Sequence, residues 1–335
     1  MKKILVTGAG GYIGSVATCI LLQNRYTVVA LDNFSTGYRE PLNLLQEKFG
    51  NEKLSVYKAD LTKNIDDIFQ KEKDVDAVLH YAASCVVDES MKNPEKYFFN
   101  NVYGSQNLLT SMMKFGIYQI IFSSTCAVYG EGQYMPMDEK HPIASTTPYG
   151  ASKRIVEELI EWYGKLKKLH YVILRYFNVC GASDDGLIGD SKKPSTLLVQ
   201  NTVRGALNIE PFLLTCPNVD TPDKTPIRDY VNVVDLNEAH LKALEYLSNG
   251  GKNEIINLGT GSGNSVLEIV NQVQAITGVK FPLKKTSPRE GDDAKKIASI
   301  NKAKSVLGWE PKRTIKDSVT SLVKWYKNHP EGWNS

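Results

Sequence analysis

No stretch of this sequence is long and apolar enough to cross a membrane, and no segment is repetitive or of low complexity. The first residues, Met1-Lys-Lys-Ile-Leu-Val6, open like a signal peptide, but Thr7 and the glycines behind it cut the apolar run too short. Cysteine is sparse. The five thiols (Cys19, Cys85, Cys126, Cys180 and Cys216) are odd in number, and none belongs to a C-x-x-C pair. That pattern argues against a disulfide framework and against a metal centre, and points to a reducing cytoplasm. An excess of one charge is lacking too. The formal net charge is +3 and the basic residues are scattered, which argues against a nucleic-acid footprint.

What the chain has is apolar runs that end in glycine or acid. Of its 335 residues, 42% are hydrophobic and 23% charged, enough for one large or two modest domains with a buried core. Lys3-Ile-Leu-Val-Thr7 reads as a buried parallel strand. It leads into Gly8-Ala-Gly-Gly11-Tyr12-Ile13-Gly14 and a helical stretch from Ser15 onward. The spacing Gly8-x-x-Gly11-x-x-Gly14 is a dinucleotide-binding fingerprint. Gly8 permits the tight turn, Gly11 lets the backbone approach a pyrophosphate, and Gly14 lets helix and strand pack closely. The helix N-terminus offers N–H groups and a positive dipole end to the phosphates. The next apolar run, 27–31, ends in Asp32, where a carboxylate would hydrogen-bond an adenosine ribose hydroxyl. No Arg or Lys follows before Arg39, which favours NAD over NADP. An ordinary tight turn is the plainer reading of the glycines. It leaves the strand, helix and acid in register unexplained.

The alternation continues. Residues 54–59 read as a strand ending at Asp60-Leu61, and 75–80 as another, followed by Tyr81-Ala82-Ala83. A run at 118–122 opens into Ser123-Ser124-Thr125, and 171–175 gives one more. Between them, 94–115 reads as one long helix carrying Asn100 and Asn101, and a second helix runs from Tyr149 to about Lys168. This order predicts an α/β fold: a Rossmann-type doubly wound parallel sheet with ligands at the carboxyl ends of its strands. After Arg175 the texture changes. Residues 180–226 are rich in Gly, Pro, Asp, Ser and Thr, with helical patterning only around 195–207. The expected division is an NAD-binding domain over 1–178, with later segments returning to it, and a smaller mixed α/β substrate domain over 179–335. A second glycine-rich turn, 259–263, follows the run 255–258 without an acid-bearing partner strand. It reads as a structural turn, with Asn264 capping the helix behind it.

Tyr149 and Lys153 carry the chemistry. Four residues apart on a helix, they lie one turn apart on one face, and Pro148 is well placed to start that helix. A tyrosine of pKa about 10 is a poor base at neutral pH. A nearby ammonium favours its phenolate and makes it a candidate general base for a sugar hydroxyl. Chance and core packing also supply Tyr-x-x-x-Lys, so the pair takes its weight from the strands and glycines around it.

Together these pieces resemble the extended short-chain dehydrogenases/reductases, and among them the UDP-glucose 4-epimerases. The resemblance spans essentially the whole chain. Its more specific parts are Leu174-Arg-Tyr-Phe-Asn178, Gly263-Asn-Ser-Val266 and Arg289-Glu-Gly-Asp292. It implies reversible 4-epimerisation of UDP-galactose and UDP-glucose through a transient 4-keto sugar, with NAD+ held tightly. Tyr149 would take the 4-hydroxyl proton, Lys153 would stabilise the phenolate, and Thr125, or Ser124 beside it, would hold the same hydroxyl. Cofactor contacts are implied for Gly8, Gly11, Tyr12, Ile13 and Gly14, and for Asp32, Asn33, Phe34, Ser35 and Thr36. They are implied also for Asp60, Leu61, Tyr81, Ala82, Ala83, Asn100, Ser123 and Phe177, besides Tyr149 and Lys153. Arg228 and Arg289 match diphosphate-binding arginines, Asp292 a ribose contact and Asn178 a sugar contact; by themselves such arginines are ordinary surface charges. A homodimer is implied through the two long helices, with Leu108, Leu109, Met112 and Met113 on one and Ile155, Val156, Leu159 and Ile160 on the other. Such faces can equally be intramolecular core.

Three departures fall on the substrate side. Leu197 stands where the family carries a substrate-binding Asn or His, Thr215 near the uracil-stacking aromatic, and Lys296 where room for the sugar's 2-substituent is set. Epimerases of UDP-N-acetylhexosamines, UDP-glucuronate or UDP-pentoses share the same catalytic set and stay open. A 4,6-dehydratase would need an Asp-Glu pair where Cys126 and Ala127 stand. A non-enzymatic NAD-binding scaffold would be expected to lose Tyr149 or Lys153, and both are present.

Overall fold

The computed structural model describes residues 2–212, 218–280 and 294–333. The strands of the large sheet are β1 (Lys3–Thr7), β2 (Thr27–Asp32), β3 (Leu54–Lys58), β4 (Val75–His80), β5 (Gln119–Thr125), β6 (His170–Tyr176) and, later in the chain, β10 (Glu254–Leu258). Shorter strands are β7 (Asn178–Cys180), β8 (Ile227–Arg228), β9 (Tyr230–Asn232), β11 (Asn264–Ser265) and β12 (Lys295–Lys296). The helices are α1 (Tyr12–Gln23), α2 (Glu40–Phe49), α3 (Asp66–Lys71), α4 (Val87–Lys92), α5 (Pro94–Tyr97), α6 (Gly104–Lys114), α7 (Pro148–Lys167), α8 (Leu198–Ala206), α9 (Val233–Ser248), α10 (Val266–Thr277), α11 (Asn301–Leu307) and α12 (Ile315–Asn328).

The chain divides into two compact units. The first comprises residues 1–130, 142–175 and 237–256, and the second 131–141, 176–236 and 257–335. In the first, the strands lie in the order β10-β6-β5-β4-β1-β2-β3. β1 pairs in parallel with β2 and β4, β2 with β3, and β4 with β5. The expected doubly wound sheet is present, and the carboxyl ends of these strands share one edge. Sandwiching by helices explains the continuous apolar runs: Ile4, Leu5 and Val6 are buried, as are Val28, Val29 and Ala30. Leu5, Val29, Val78, Ile120 and Phe122 pack with Leu108 and Met112 of α6 and Val156 and Ile160 of α7. Each such buried side chain contributes roughly 1.5–3 kcal/mol of burial free energy. These helix faces are therefore core, and they settle the alternative left open for Leu108, Leu109, Met112, Val156 and Ile160.

The expected single helix over 94–115 is interrupted. A π-helical turn spans Phe98–Tyr103 between α5 and α6. Its cause is Asn101, buried with its side chain accepting from Ser84 N at 2.7 Å and donating to Ser84 O and Ser152 Oγ, both at 3.0 Å. An inserted residue in a helix turns that amide inward.

The second unit packs Val199, Val203, Ile269, Val273, Leu322 and Trp325, from α8, α10 and α12, into one core. Its small sheets join β7 to β9 and β11 to β8 to β12. The glycine-rich turn at 259–263 is structural, as read. The buried Asp229 carboxylate accepts from Thr260 N at 2.7 Å and Gly261 N at 3.1 Å, so those amides are turned onto a carboxylate of the same unit. The cap behind it is a correction. Ser265, not Asn264, caps α10, in a capping box with Glu268, because the hydroxyl reaches the N3 amide while the Glu268 carboxylate returns to Ser265 N.

Candidate active site

Gly8 follows β1 with φ +71, a left-handed turn that glycine adopts without strain, and a Cβ there would meet Ala82 N at 2.7 Å. At Gly14 a Cβ would lie 2.1 Å from Gly8 O, so the close approach of α1 to the strand end requires glycine. Gly11 is different. A Cβ there would meet only Gly8 O, at 3.3 Å. Gly11 also caps α1 with no side chain, and the first turn of α1, with Tyr12 and Ile13, carries no acid to offset the dipole. The three glycines thus make a turn, an open backbone face and a close contact, which fits a bound pyrophosphate.

Asp32, at the end of β2, is buried and does more than await a ribose. Its Oδ2 accepts from Gly10 N at 2.9 Å and its Oδ1 from Phe34 N at 2.7 Å. Burial pushes its pKa up, and the backbone amides of Phe34, Gly10 and Gly11 pull it back. One carboxylate therefore sets both the glycine loop and the start of the loop with Asn33, Phe34, Ser35 and Thr36. Asn33 donates to Asp60 beyond β3 at 3.3 Å, and Asp60 in turn accepts from Thr62 N at 2.8 Å. Leu61 beside it is buried. Tyr81, Ala82 and Ala83 follow β4, with the Tyr81 hydroxyl donating to Asn237 at 2.8 Å and Ala82 N to Thr7 at 3.4 Å. Asn100 lies in the π turn and donates to Asn101 at 2.9 Å.

His80 ties these strand ends together. Its Nδ1 lies 2.7 Å from Thr7 Oγ1 and its Nε2 2.8 Å from Ser105 Oγ. Ser105 spends its proton on Asn101 O at 2.5 Å, so His80 carries its proton on Nε2 and accepts at Nδ1. Burial, aided by the Lys153 charge, lowers the His80 pKa to about 3, so the ring is neutral.

The candidate catalytic pair lies on α7. Thr147 caps that helix, accepting from Gly150 N at 3.1 Å, and Pro148 opens it. A Cβ on Gly150 would meet Ala127 O at 2.6 Å, so glycine brings the Tyr149 turn directly against the turn that follows Thr125. Tyr149 is buried, with the Tyr97 ring edge-on at 6.4 Å. Lys153 Nζ donates to Ser123 O at 2.7 Å and lies 4.7 Å from the centroid of the Phe122 ring. Burial brings the Lys153 pKa down to about 8, while Cys85 and Glu157 hold it up. Thr125 Oγ1 accepts from Ala127 N at 3.1 Å. Ser124, expected as an alternative to Thr125, is held otherwise: its fully buried hydroxyl donates to Glu157 Oε1 at 2.5 Å. The strand's alternation turns the two neighbouring side chains apart, and only Thr125 keeps its hydroxyl on the turn that α7 packs against.

The NAD dependent epimerase/dehydratase family matches residues 4–259 of the chain. The chain belongs to that family. The UDP-glucose 4-epimerase of Lactobacillus helveticus is 38% identical over 335 residues, covering 99% of both chains, and that of Lacticaseibacillus casei 40% over 334 residues, covering 98% of both. Among solved structures, the UDP-glucose 4-epimerase of Bifidobacterium longum in complex with NAD+ and UDP superposes with a TM-score of 0.93 at 32% identity, covering 99% of this chain and 100% of that one. The family expected from the motifs is the family found, and NAD is its cofactor.

The remaining expected residues lie in the second unit. Phe177 is buried, and Asn178 donates to Asp229 O from its backbone at 3.0 Å and from its side chain at 3.3 Å. Leu197 occupies the N-cap position of α8 without a side-chain bond. Arg228 lies on β8, donates to Ile227 O at 3.0 Å, and stands in register with Lys296 of β12. Arg289, Asp292 and Thr215 lie outside the described residues. Sequence reasoning passed over Glu157, Arg175 and Ser152. The signal was there for two of them: an arginine ending an apolar strand, and a glutamate four residues beyond Lys153 on the same helix.

Proposed function

We propose that this chain is an NAD-dependent 4-epimerase of UDP-galactose and UDP-glucose. The observation that carries this reading is the contact of the Tyr149–Lys153 turn with the end of β5, where Gly150 brings the helix against Ala127 and Lys153 Nζ holds Ser123 O at 2.7 Å. When bound, NAD+ supplies the acceptor for the hydride at C4 and returns it. Tyr149 moves the proton at the sugar 4-hydroxyl, and the Lys153 ammonium one turn away favours its phenolate. Thr125 orients that hydroxyl. Burial of Tyr149 and Lys153 keeps the charges in a medium where they act strongly, and orientation does most of the remaining work.

The glycine loop, Asp32 to Thr36, Asp60, Leu61, Tyr81 to Ala83, Asn100, Ser123 and Phe177 are the cofactor's contacts in this reading. Asn178, Leu197, Arg228, Arg289 and Asp292 belong to the UDP-sugar, with the planar guanidinium of arginine suited to a diphosphate. The chain works as a homodimer in the cytoplasm. Apolar side chains stand exposed on α4, the π turn and α7, among them Met91, Phe99, Trp162 and Leu166, and they would be covered by a second copy. No described helix is long and apolar enough to cross a membrane.

The test is conversion of UDP-galactose to UDP-glucose by the purified protein with no NAD added, run beside UDP-N-acetylgalactosamine. Turnover of the first establishes the reading, and the ratio of rates reports on Leu197 and Lys296. Absence of turnover with either, in protein that holds NAD, overturns the UDP-hexose assignment. Light scattering reads the dimer.

A further inference from the structure

The carboxylate of Glu157 has all of its acceptor positions filled. Oε1 accepts from Ser124 Oγ at 2.5 Å and from Arg175 Nε at 2.8 Å. Oε2 accepts from Arg175 Nη2 at 2.6 Å and from Arg154 Nη1 at 3.1 Å. Arg175 continues to the Tyr129 hydroxyl at 3.1 Å and lies 5.0 Å from the centroid of its ring. Glu157 and Ser124 are fully buried and Arg175 is 2% exposed. A buried ion pair is weak evidence for stability, since desolvation offsets much of its attraction. Its worth here lies in where it is anchored.

Ser124 is the middle residue of the three that end β5. The residue before it, Ser123, offers the carbonyl that Lys153 Nζ grips at 2.7 Å, and the residue after it is Thr125. Glu157 lies one helical turn beyond Lys153 on α7, and Arg175 lies near the end of β6. The Ser124–Glu157–Arg175 chain therefore ties β5, α7 and β6 together at the point where Thr125 must face Tyr149. Lys153 supplies one tether between β5 and α7; Ser124 supplies a second, and two tethers remove the pivot that one would leave.

We propose that Ser124 and Glu157 are positioning residues that fix the Thr125 hydroxyl against the Tyr149–Lys153 pair, rather than contributing only to the fold. This rests on the epimerase reading, in which Thr125 and Tyr149 share one substrate hydroxyl. A displacement well below 1 Å at that hydroxyl is costly, because proton transfer depends on near-attack geometry.

Ser124→Ala removes one hydroxyl and leaves the Glu157–Arg175 pair intact. The expected result is a fall in kcat of roughly 10- to 100-fold with KM for UDP-galactose within about twofold of the parent, a split that general destabilisation does not produce. Amide exchange at Ser123 to Thr125 should quicken in the same variant, at a temperature where it stays folded. Glu157→Gln, which keeps the shape of the side chain, should show the same kcat loss with a lowered melting temperature. A kcat within twofold of the parent in Ser124→Ala overturns the proposal, whatever its melting temperature does. A lost kcat with unchanged exchange also overturns it, since Ser124 would then act directly. Parent protein that turns over no UDP-sugar sinks the epimerase reading instead, and the exchange comparison still reads the clamp.

Discussion

Lys153 Nζ donates to the carbonyl of Ser123 at 2.7 Å while the side chain is 2% exposed. A hydrogen bond to a backbone carbonyl holds the ammonium in place without neutralising it, so in the proposed reaction its charge remains available to a Tyr149 phenolate. The titratable groups around it are His80 at the end of β4, Cys85 after that strand, and Glu157 on its own helix, with Tyr149 one turn earlier on α7.

That placement sets a pH dependence. Burial brings Lys153 down to about 8, so the ammonium is present below that pH and lost above it. Support for the phenolate goes with it, and kcat/KM should fall as pH rises through about 8. The stability change has the opposite sign. A folded pKa below the unfolded value of about 10.4 means that the unfolded chain holds more protons, so this group's contribution to stability rises from pH 8 upward. Rate profiles and melting curves across pH 6 to 10.5 check both, and a kcat/KM flat to pH 9.5 would remove Lys153 from the role.

Tyr149→Phe keeps the ring and its edge-on contact with Tyr97 but removes the hydroxyl proposed to carry the proton. Turnover should fall about 10²- to 10⁴-fold, the usual worth of general acid–base catalysis. NAD should still co-purify, as judged by extraction and absorbance. A variant that retains a tenth of parent activity would show that another group moves the proton.

Gly150→Ala places a methyl 2.6 Å from the backbone oxygen of Ala127. Backbone cannot yield as a flexible side chain can. Alanine's better helix propensity returns about 1 kcal/mol at most, against overpacking of roughly 1–3 kcal/mol. We expect a net loss of up to about 2 kcal/mol in urea unfolding and a larger proportional loss of turnover, since the strain falls between Tyr149 and Thr125. Unchanged kcat would show that this contact does not set the catalytic geometry.

Asp190, in the second unit, is 4% exposed, and burial lifts its pKa to about 6 despite the Lys192 amide and the charges of Lys192 and Arg204. A raised folded pKa favours folding at low pH, and that contribution is lost as pH rises through 6. Asp190→Asn should therefore stabilise the protein at pH 7 by about 1–3 kcal/mol and lose that advantage by pH 4. Melting temperatures at the two values check it; an equal shift at both would mean that Asp190 does not titrate there.

Most of the sheet and the core of the site were legible in the chain. Strands buried on both faces are continuous apolar runs, so β1 and β2 announce themselves. The glycine spacing follows from contacts within a few residues: Gly14 meets Gly8, and both stand in one turn. Tyr149 and Lys153 were legible because helical period alone puts them on one face. The π turn at Phe98–Tyr103 was not, because its cause is a bond from Asn101 to Ser84 and Ser152, residues far along the chain. The apolar helix positions on α6 and α7 could not be assigned to core or surface by periodicity, which states that a face is apolar and not what covers it.

The amino-acid order by itself determined the alternation of elements, the glycine turn after β1 and the placing of Tyr149 and Lys153 on one face of α7, since each rests on local spacing and backbone preference. Tertiary structure alone decided which hydroxyl of Ser123-Ser124-Thr125 is spent on Glu157, which proton His80 carries, and how Gly150 sets α7 against β5. Those depend on groups brought together across tens of residues, and a hydrogen bond's partner is chosen by distance in space rather than distance along the chain.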